Sequence, residues 1–255
     1  MPETEYKEDV PSSDPSKVIE LFDLPARILV NFDNLDSLKR ALSELTIWGE
    51  VNELLQEVPP LHLSLQDSSG GSMVLEFTDG EVFIYENPNG VLTNSPELPW
   101  HLSNLRNYVN LSPYMKETEI NGITYKGIGF GSGYVGIPGD VTPPSRFVRI
   151  SFLREFSNPV ETEEEGVIAL HLLNTVAIPS GVSKREESNT ESFESTQWVT
   201  IKGNKNLKLY FRTYDCASLF VVDLNRVDFS YGTKHESIDF DKPFSAINVC
   251  NLFSF

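Results

Sequence analysis

Cysteine is scarce in this chain: Cys216 and Cys250 are the only two, and none stands before position 216. Two thiols so far apart form neither a zinc-ligand spacing nor a disulfide framework, and both read as free thiols in a reducing, cytoplasmic setting. Basic charge is also short. Lys and Arg number 20 against 37 Asp and Glu, a net charge of −17. That balance argues against partners needing a basic patch, nucleic acid and anionic membrane surfaces among them. No apolar run approaches the ~18 residues of a membrane span, and the polar, acidic opening segment lacks a signal-peptide layout. The four histidines, His62, His101, His171 and His235, show no metal spacing such as H-E-x-x-H. Structural roles are expected for them, with His62 outward from a strand and His171 on a buried helix face. No metal or cofactor is expected. Nothing in the sequence brings Cys216 and His235 together as a thiol–imidazole pair.

What is present suits one large domain over residues 1–255, without internal repeat or linker, 40% of it apolar. Residues 1–16 are polar and proline-bearing, and predict a loop or frayed end. Lys17 to Phe32 reads as a helix that Pro25 breaks or kinks. Leu35, Leu38, Leu42 and Leu45 form one face of a second helix, capped by Asp33 or Asn34. From Leu61 the period becomes two, and an antiparallel meander is expected through Leu61–Leu65, Met73–Phe77, Val82–Tyr85 and Val91–Thr93, with a hairpin turn at Asp79-Gly80. Its later strands are apolar on both faces, so cover is expected on both sides.

A helix-rich middle follows. Trp100–Val109 reads as helical, and Pro143-Pro144 opens a helix to about Phe156. Thr162 and Glu165 have capping-box spacing ahead of an apolar, buried helix to about Asn174, with Glu163 and Glu164 favouring its positive end. Lys184–Ser195 reads as a polar loop. A second meander is expected over Trp198–Ile201, Leu207–Tyr214 and Leu219–Leu224. Two such sheets with intervening helices predict an α+β fold in four layers, helix, sheet, sheet, helix. A literal G-x-G-x-x-G runs from Gly131 to Gly136, but Ile137-Pro138-Gly139-Asp140 follows it, which cannot start a dinucleotide-binding helix.

Five segments occur in order: GVLTNSP (Gly90–Pro96) with the following Trp100-His101; Asn104 to Tyr108; GIPGDVTPPSRFVR (Gly136–Arg149); HLLNTVAIPSGV (His171–Val182); and RTYD (Arg212–Asp215). In this order they resemble the choloylglycine hydrolase family, the bile salt hydrolases and penicillin V acylases, from about Leu24 to the C-terminus. The resemblance implies an N-terminal-nucleophile hydrolase sandwich. It also implies hydrolysis of linear amide C–N bonds, in which an N-terminal cysteine thiol attacks and its own α-amine serves as base. By the same resemblance Asn94 helps form the oxyanion hole and Arg146 sits beside the nucleophile, favouring thiolate. Without it, Asn94 would simply end a strand and Arg146 would be a first-turn helix residue.

The first residues are Met1-Pro2-Glu3-Thr4, so the expected cysteine has no counterpart, and residues 1–255 correspond to roughly the last three quarters of the family's chain. The expectation is therefore a start-truncated or misassigned reading frame that is inactive alone, its sheets missing their first strands. The alternative is a non-catalytic relative that binds a ligand or partner. Candidate substrates are conjugated bile salts, penicillin V or N-acyl homoserine lactones. A homotetramer is implied for the full-length form, with Pro113–Asp140 in its assembly.

Overall fold

The protein is described by a computed structural model covering residues 4–6, 15–53, 56–158, 165–187, 190–234 and 237. Thr162, Glu163, Glu164, His235 and Cys250 lie outside the described residues. The chain forms two compact units, Met1–Phe152 and Leu153–Phe255.

In the first unit, β1 (Val18–Glu20) precedes α1 (Leu24–Asn31) and α2 (Leu35–Leu42), and β2 (Thr46–Trp48) pairs parallel with β1. The single helix expected over Lys17–Phe32 is thus a strand followed by a shorter helix. β-branched Val18 and Ile19 take a ladder partner, and Pro25 opens α1 rather than breaking it. In the first turn its missing N–H has no helical partner to lose. Asn34 caps α2, its side chain accepting from the Ser37 N–H at 2.9 Å.

Next come β3 (Leu63–Gln66), β4 (Ser72–Thr78) and β5 (Glu81–Glu86), an antiparallel sheet with β4 central. Alternation in β4 builds the unit. Met73, Leu75 and Phe77 face Ile19, Leu24, Ile28, Leu38 and Leu42, while Val74 packs with Val91, Leu98 and Phe147 on the other side. Both faces of β4 are covered, whereas on β5, whose two apolar faces carried the expectation of cover, Phe83 is 39% exposed. Val91–Thr93 forms no strand: Val91 is buried as packing, and its carbonyl accepts from the Asn87 side chain at 3.1 Å. The opening residues are tied down where described. The Glu5 N–H donates to Phe77, the Glu5 carbonyl accepts from the Gly80 N–H, and the Tyr6 ring packs 5.0 Å from that of Phe77.

α3 (Leu98–Asn104) and the 3₁₀ turn Leu105–Tyr108 cover the helix expected over Trp100–Val109, and a hairpin of β6 (Glu117–Ile120) and β7 (Ile123–Lys126) follows. The glycine string behind it serves backbone packing. A Cβ on Gly133 would come within 2.3 Å of the Ser112 and Tyr114 carbonyl oxygens, and Gly131 has φ of 82°, a left-handed conformation that glycine adopts without strain. Its second half forms a short 3₁₀ turn at Ser132–Tyr134, with neither a parallel strand before it nor a helix directly after. Then α4 (Pro143–Phe156) runs over the expected residues.

The second unit holds α5 (Glu165–Asn174), the hairpin β8 (Ser183–Glu187) and β9 (Thr190–Glu194), and the antiparallel sheet β10 (Trp198–Gly203), β11 (Lys208–Thr213), β12 (Phe220–Asp223). The β8–β9 hairpin replaces the expected polar loop, because a ladder is made by main-chain groups and polar side chains do not forbid it. The expected burial of α5 holds only in part: Gly166 is buried, but Val167 is 49% exposed and His171 is exposed. Cys216 is buried and free.

Candidate active site

The Asn87–Gly90 turn reverses the chain after β5, with the Gly90 N–H donating to the Asn87 carbonyl at 3.0 Å. The following segment then crosses the first turn of α4. Thr93 is buried and donates its hydroxyl to the Pro143 carbonyl, 3.2 Å away, at a helix start that has no N–H to offer there. One residue on, Asn94 is exposed, and the Ser95-Pro96 bond that follows is cis.

Asn94 and Arg146, 52 positions apart in sequence, meet directly. Arg146 Nη2 donates to Asn94 Oδ1 at 2.9 Å, and Arg146 Nε donates to the Val141 carbonyl at 3.1 Å. A guanidinium has only donors, so the Asn94 oxygen must be the atom facing it. The amide NH₂ is thereby turned away from Arg146 and makes no hydrogen bond to a described protein group. The two residues expected at the site therefore form one hydrogen-bonded pair, with a donor left over.

The start of α4 is fixed by Asp140. Its carboxylate accepts from the Thr142 N–H at 3.0 Å, the Thr142 hydroxyl at 2.5 Å and the Ser145 hydroxyl at 2.6 Å. These bonds, the Ser145 hydroxyl foremost, hold its pKa down at about 2. Arg149 Nη1 donates to the Pro138 carbonyl at 2.7 Å and the Asp140 carbonyl at 3.2 Å, closing the loop that delivers Arg146.

Beneath the pair lies His101, fully buried on α3. Its ring stacks on Phe147 with centroids 4.6 Å apart and 14° between planes, and its Nε2 is 2.9 Å from the Asn94 carbonyl oxygen. Burial, the largest influence, lowers its pKa below the ordinary histidine value. α3 is in turn anchored by Glu76 of β4, which is 1% exposed and accepts from the Leu98 N–H through both carboxylate oxygens at 3.2 Å. His62 does not point outward as expected: its Nδ1 is buried, 3.9 Å from Glu76 Oε1. Glu76 was not singled out from sequence. The available signal was a lone carboxylate within the apolar run Met73–Phe77, since a buried acid requires partners. Among the described residues no group of three His, Cys, Asp or Glu side chains could hold a metal ion, and no helix is long and apolar enough to cross a membrane.

Comparison with known proteins places the chain in a family. The sequence profile of the linear amide C–N hydrolases, choloylglycine hydrolase family, matches residues 4–240. A bile salt hydrolase/transferase of Clostridium perfringens is 31% identical over 227 residues, covering 87% of this chain and 67% of that protein. A penicillin V acylase of Pectobacterium atrosepticum is 28% identical over 220 residues, covering 80% of this chain and 52% of that one. The crystal structure of a mutant conjugated bile acid hydrolase from C. perfringens superposes with a TM-score of 0.81 at 27% identity, over 97% of this chain and 74% of that chain. The chain thus spans between about half and two thirds of the length of these two relatives. It belongs to the choloylglycine hydrolase family of linear amide C–N hydrolases, and its α+β fold of helices and antiparallel sheets is that of the N-terminal-nucleophile hydrolases.

Proposed function

We propose that Asn94 and Arg146 belong to an acyl-transfer site for linear amides. The observation that carries this reading is the bond from Arg146 Nη2 to Asn94 Oδ1, which leaves the Asn94 NH₂ without a partner among the described residues. When a thiolate adds to an amide carbonyl, negative charge develops on the oxygen, and an N–H held ready for it lowers the barrier. Arg146 orients that donor and keeps a positive charge nearby, which favours the thiolate form of a neighbouring cysteine. Collapse of the tetrahedral adduct would expel the amine, and water would then cleave the acyl-thiol.

The thiol for this chemistry is an N-terminal cysteine in the family, and residues 1–255 have none before Cys216. The chain alone is accordingly proposed to be inactive. Both units are proposed to belong to one domain, the family profile running through both. The buried, free Cys216 supports a reducing, cytoplasmic location. Substrates are proposed from the relatives' names: conjugated bile salts or penicillin V, with N-acyl homoserine lactones as a third amide of the same type. Assembly of the complete form into a homotetramer is supported by the apolar side chains around β6 and β7, with Ile128 and Phe130 almost wholly exposed.

The test compares the chain alone with the chain joined to a family-type N-terminal segment beginning at cysteine. Amine release from penicillin V, glycocholate and an N-acyl homoserine lactone is measured for both. Turnover by the joined form alone is expected, and no turnover of any amide by the joined form would overturn the reading. Binding of an intact amide by the chain alone, without cleavage by either form, would favour a non-catalytic binding protein.

A further inference from the structure

We infer that His101 is a positioning residue for the Asn94–Arg146 pair, donating a hydrogen bond from Nε2 to the Asn94 carbonyl while its ring seats the segment that carries Arg146. This rests on the acyl-transfer reading for its catalytic consequence, though not for its structural content.

The tautomer follows from the partners. A backbone carbonyl can only accept, so the nitrogen 2.9 Å from the Asn94 oxygen must carry the hydrogen. The second neighbour of Nε2 is Thr93 Oγ1 at 3.4 Å, and that hydroxyl has already given its hydrogen to the Pro143 carbonyl. It too is an acceptor toward the histidine. Both contacts agree on a neutral ring protonated at Nε2, with Nδ1 buried and unpartnered among the described residues. Burial outweighs the Pro96 main chain and Glu76, which also favour a protonated ring, and keeps the imidazole neutral, so it works here as a one-donor plate.

The ring also fixes the other half of the pair. His101 lies flat on Phe147, the residue after Arg146, and meets the Trp100 ring edge-on at 5.5 Å. Phe147 and His101 are both fully buried, so neither ring can shift without opening a cavity. One side chain therefore touches the main chain of Asn94 by hydrogen bond and the helix turn of Arg146 by stacking. Misplacing a catalytic group by as little as 1 Å can cost about 100-fold in rate.

The test separates donor from plate. His101→Phe keeps a flat ring on Phe147 but removes the Nε2 donor; His101→Gln keeps an amide donor at a comparable reach and loses the ring. In the chain itself, ¹⁵N NMR of the histidine should show a neutral imidazole protonated at Nε2. His101→Phe should shift the Asn94 side-chain and Arg146 Nε–H resonances, and His101→Gln should return the Asn94 signal toward its original position. In the form joined to a cysteine-bearing segment, kcat should fall about 10- to 100-fold in His101→Phe with KM changed less than about 3-fold, and recover only in part in His101→Gln, which restores the donor without the ring. An Nδ1-protonated ring in the unmutated chain overturns the inference without any variant needing to fold. So do unmoved Asn94 and Arg146 signals in His101→Phe, or a His101→Gln protein no better than His101→Phe. If the joined form has no activity, the acyl-transfer reading fails while the NMR result still decides this one.

Discussion

Replacing Glu76 tests whether a buried acid anchors the helix beneath the site. Its two carboxylate oxygens share a single donor, the Leu98 N–H, so the contact counts as one hydrogen bond and not two. A hydrogen bond to a charged group contributes about 1.5–3 kcal/mol, and negative charge at a helix N-terminus about 0.3–1 kcal/mol more. In Glu76→Gln an oxygen still accepts from Leu98, and the new NH₂ can donate to His62 Nδ1, which is buried and unpartnered beside it. The expected loss is about 1–2 kcal/mol. In Glu76→Leu the Leu98 N–H is stranded without water or acceptor, and about 3 kcal/mol is expected. Urea denaturation followed by tryptophan fluorescence, with Trp100 on the affected helix, should rank the proteins in that order with an unchanged m-value. A Glu76→Leu protein as stable as the original would refute the anchoring argument.

Two further outcomes follow from named contacts. Asp140 has its pKa lowered to about 2 against an ordinary 3.8. Its contribution to stability is therefore fully present above about pH 4 and is lost as pH falls toward 2, and the melting difference between the protein and Asp140→Asn should close over that window. Asn34→Ala removes the acceptor of the Ser37 N–H at the start of α2, and should cost about 1 kcal/mol, or roughly 2–4 °C in melting temperature.

Much of this fold was legible in periodicity. The leucine face of α2, the alternation of Leu63 and Leu65 with Ser64 and Gln66 in β3 and the proline start of α4 each state their geometry through local spacing, and each forms as predicted. The failures share a cause. Val18–Glu20 is a strand because β2 offers it a ladder, and Val91–Thr93 is not one because no described strand pairs with it. Both outcomes are decided by distant partners that local spacing does not reveal. The polar β8–β9 hairpin was hidden for the opposite reason, since its ladder is made by main-chain groups. At the site, Asn94 and Arg146 were found only through family resemblance. The contact between them, and the Glu76, α3 and His101 support below, depend on packing across 50 or more positions in the case of the pair.

The proposed role of the Asn94 amide, held by Arg146, is to donate to the oxyanion of amide cleavage. Its most direct test is kcat for penicillin V or glycocholate in the cysteine-joined protein before and after Asn94→Ala. Loss of the donor should lower kcat by about 10²–10³ with KM little altered. An Asn94→Ala protein that turns over substrate within about 3-fold of the original, against that 10²–10³ expectation, would rule that role out.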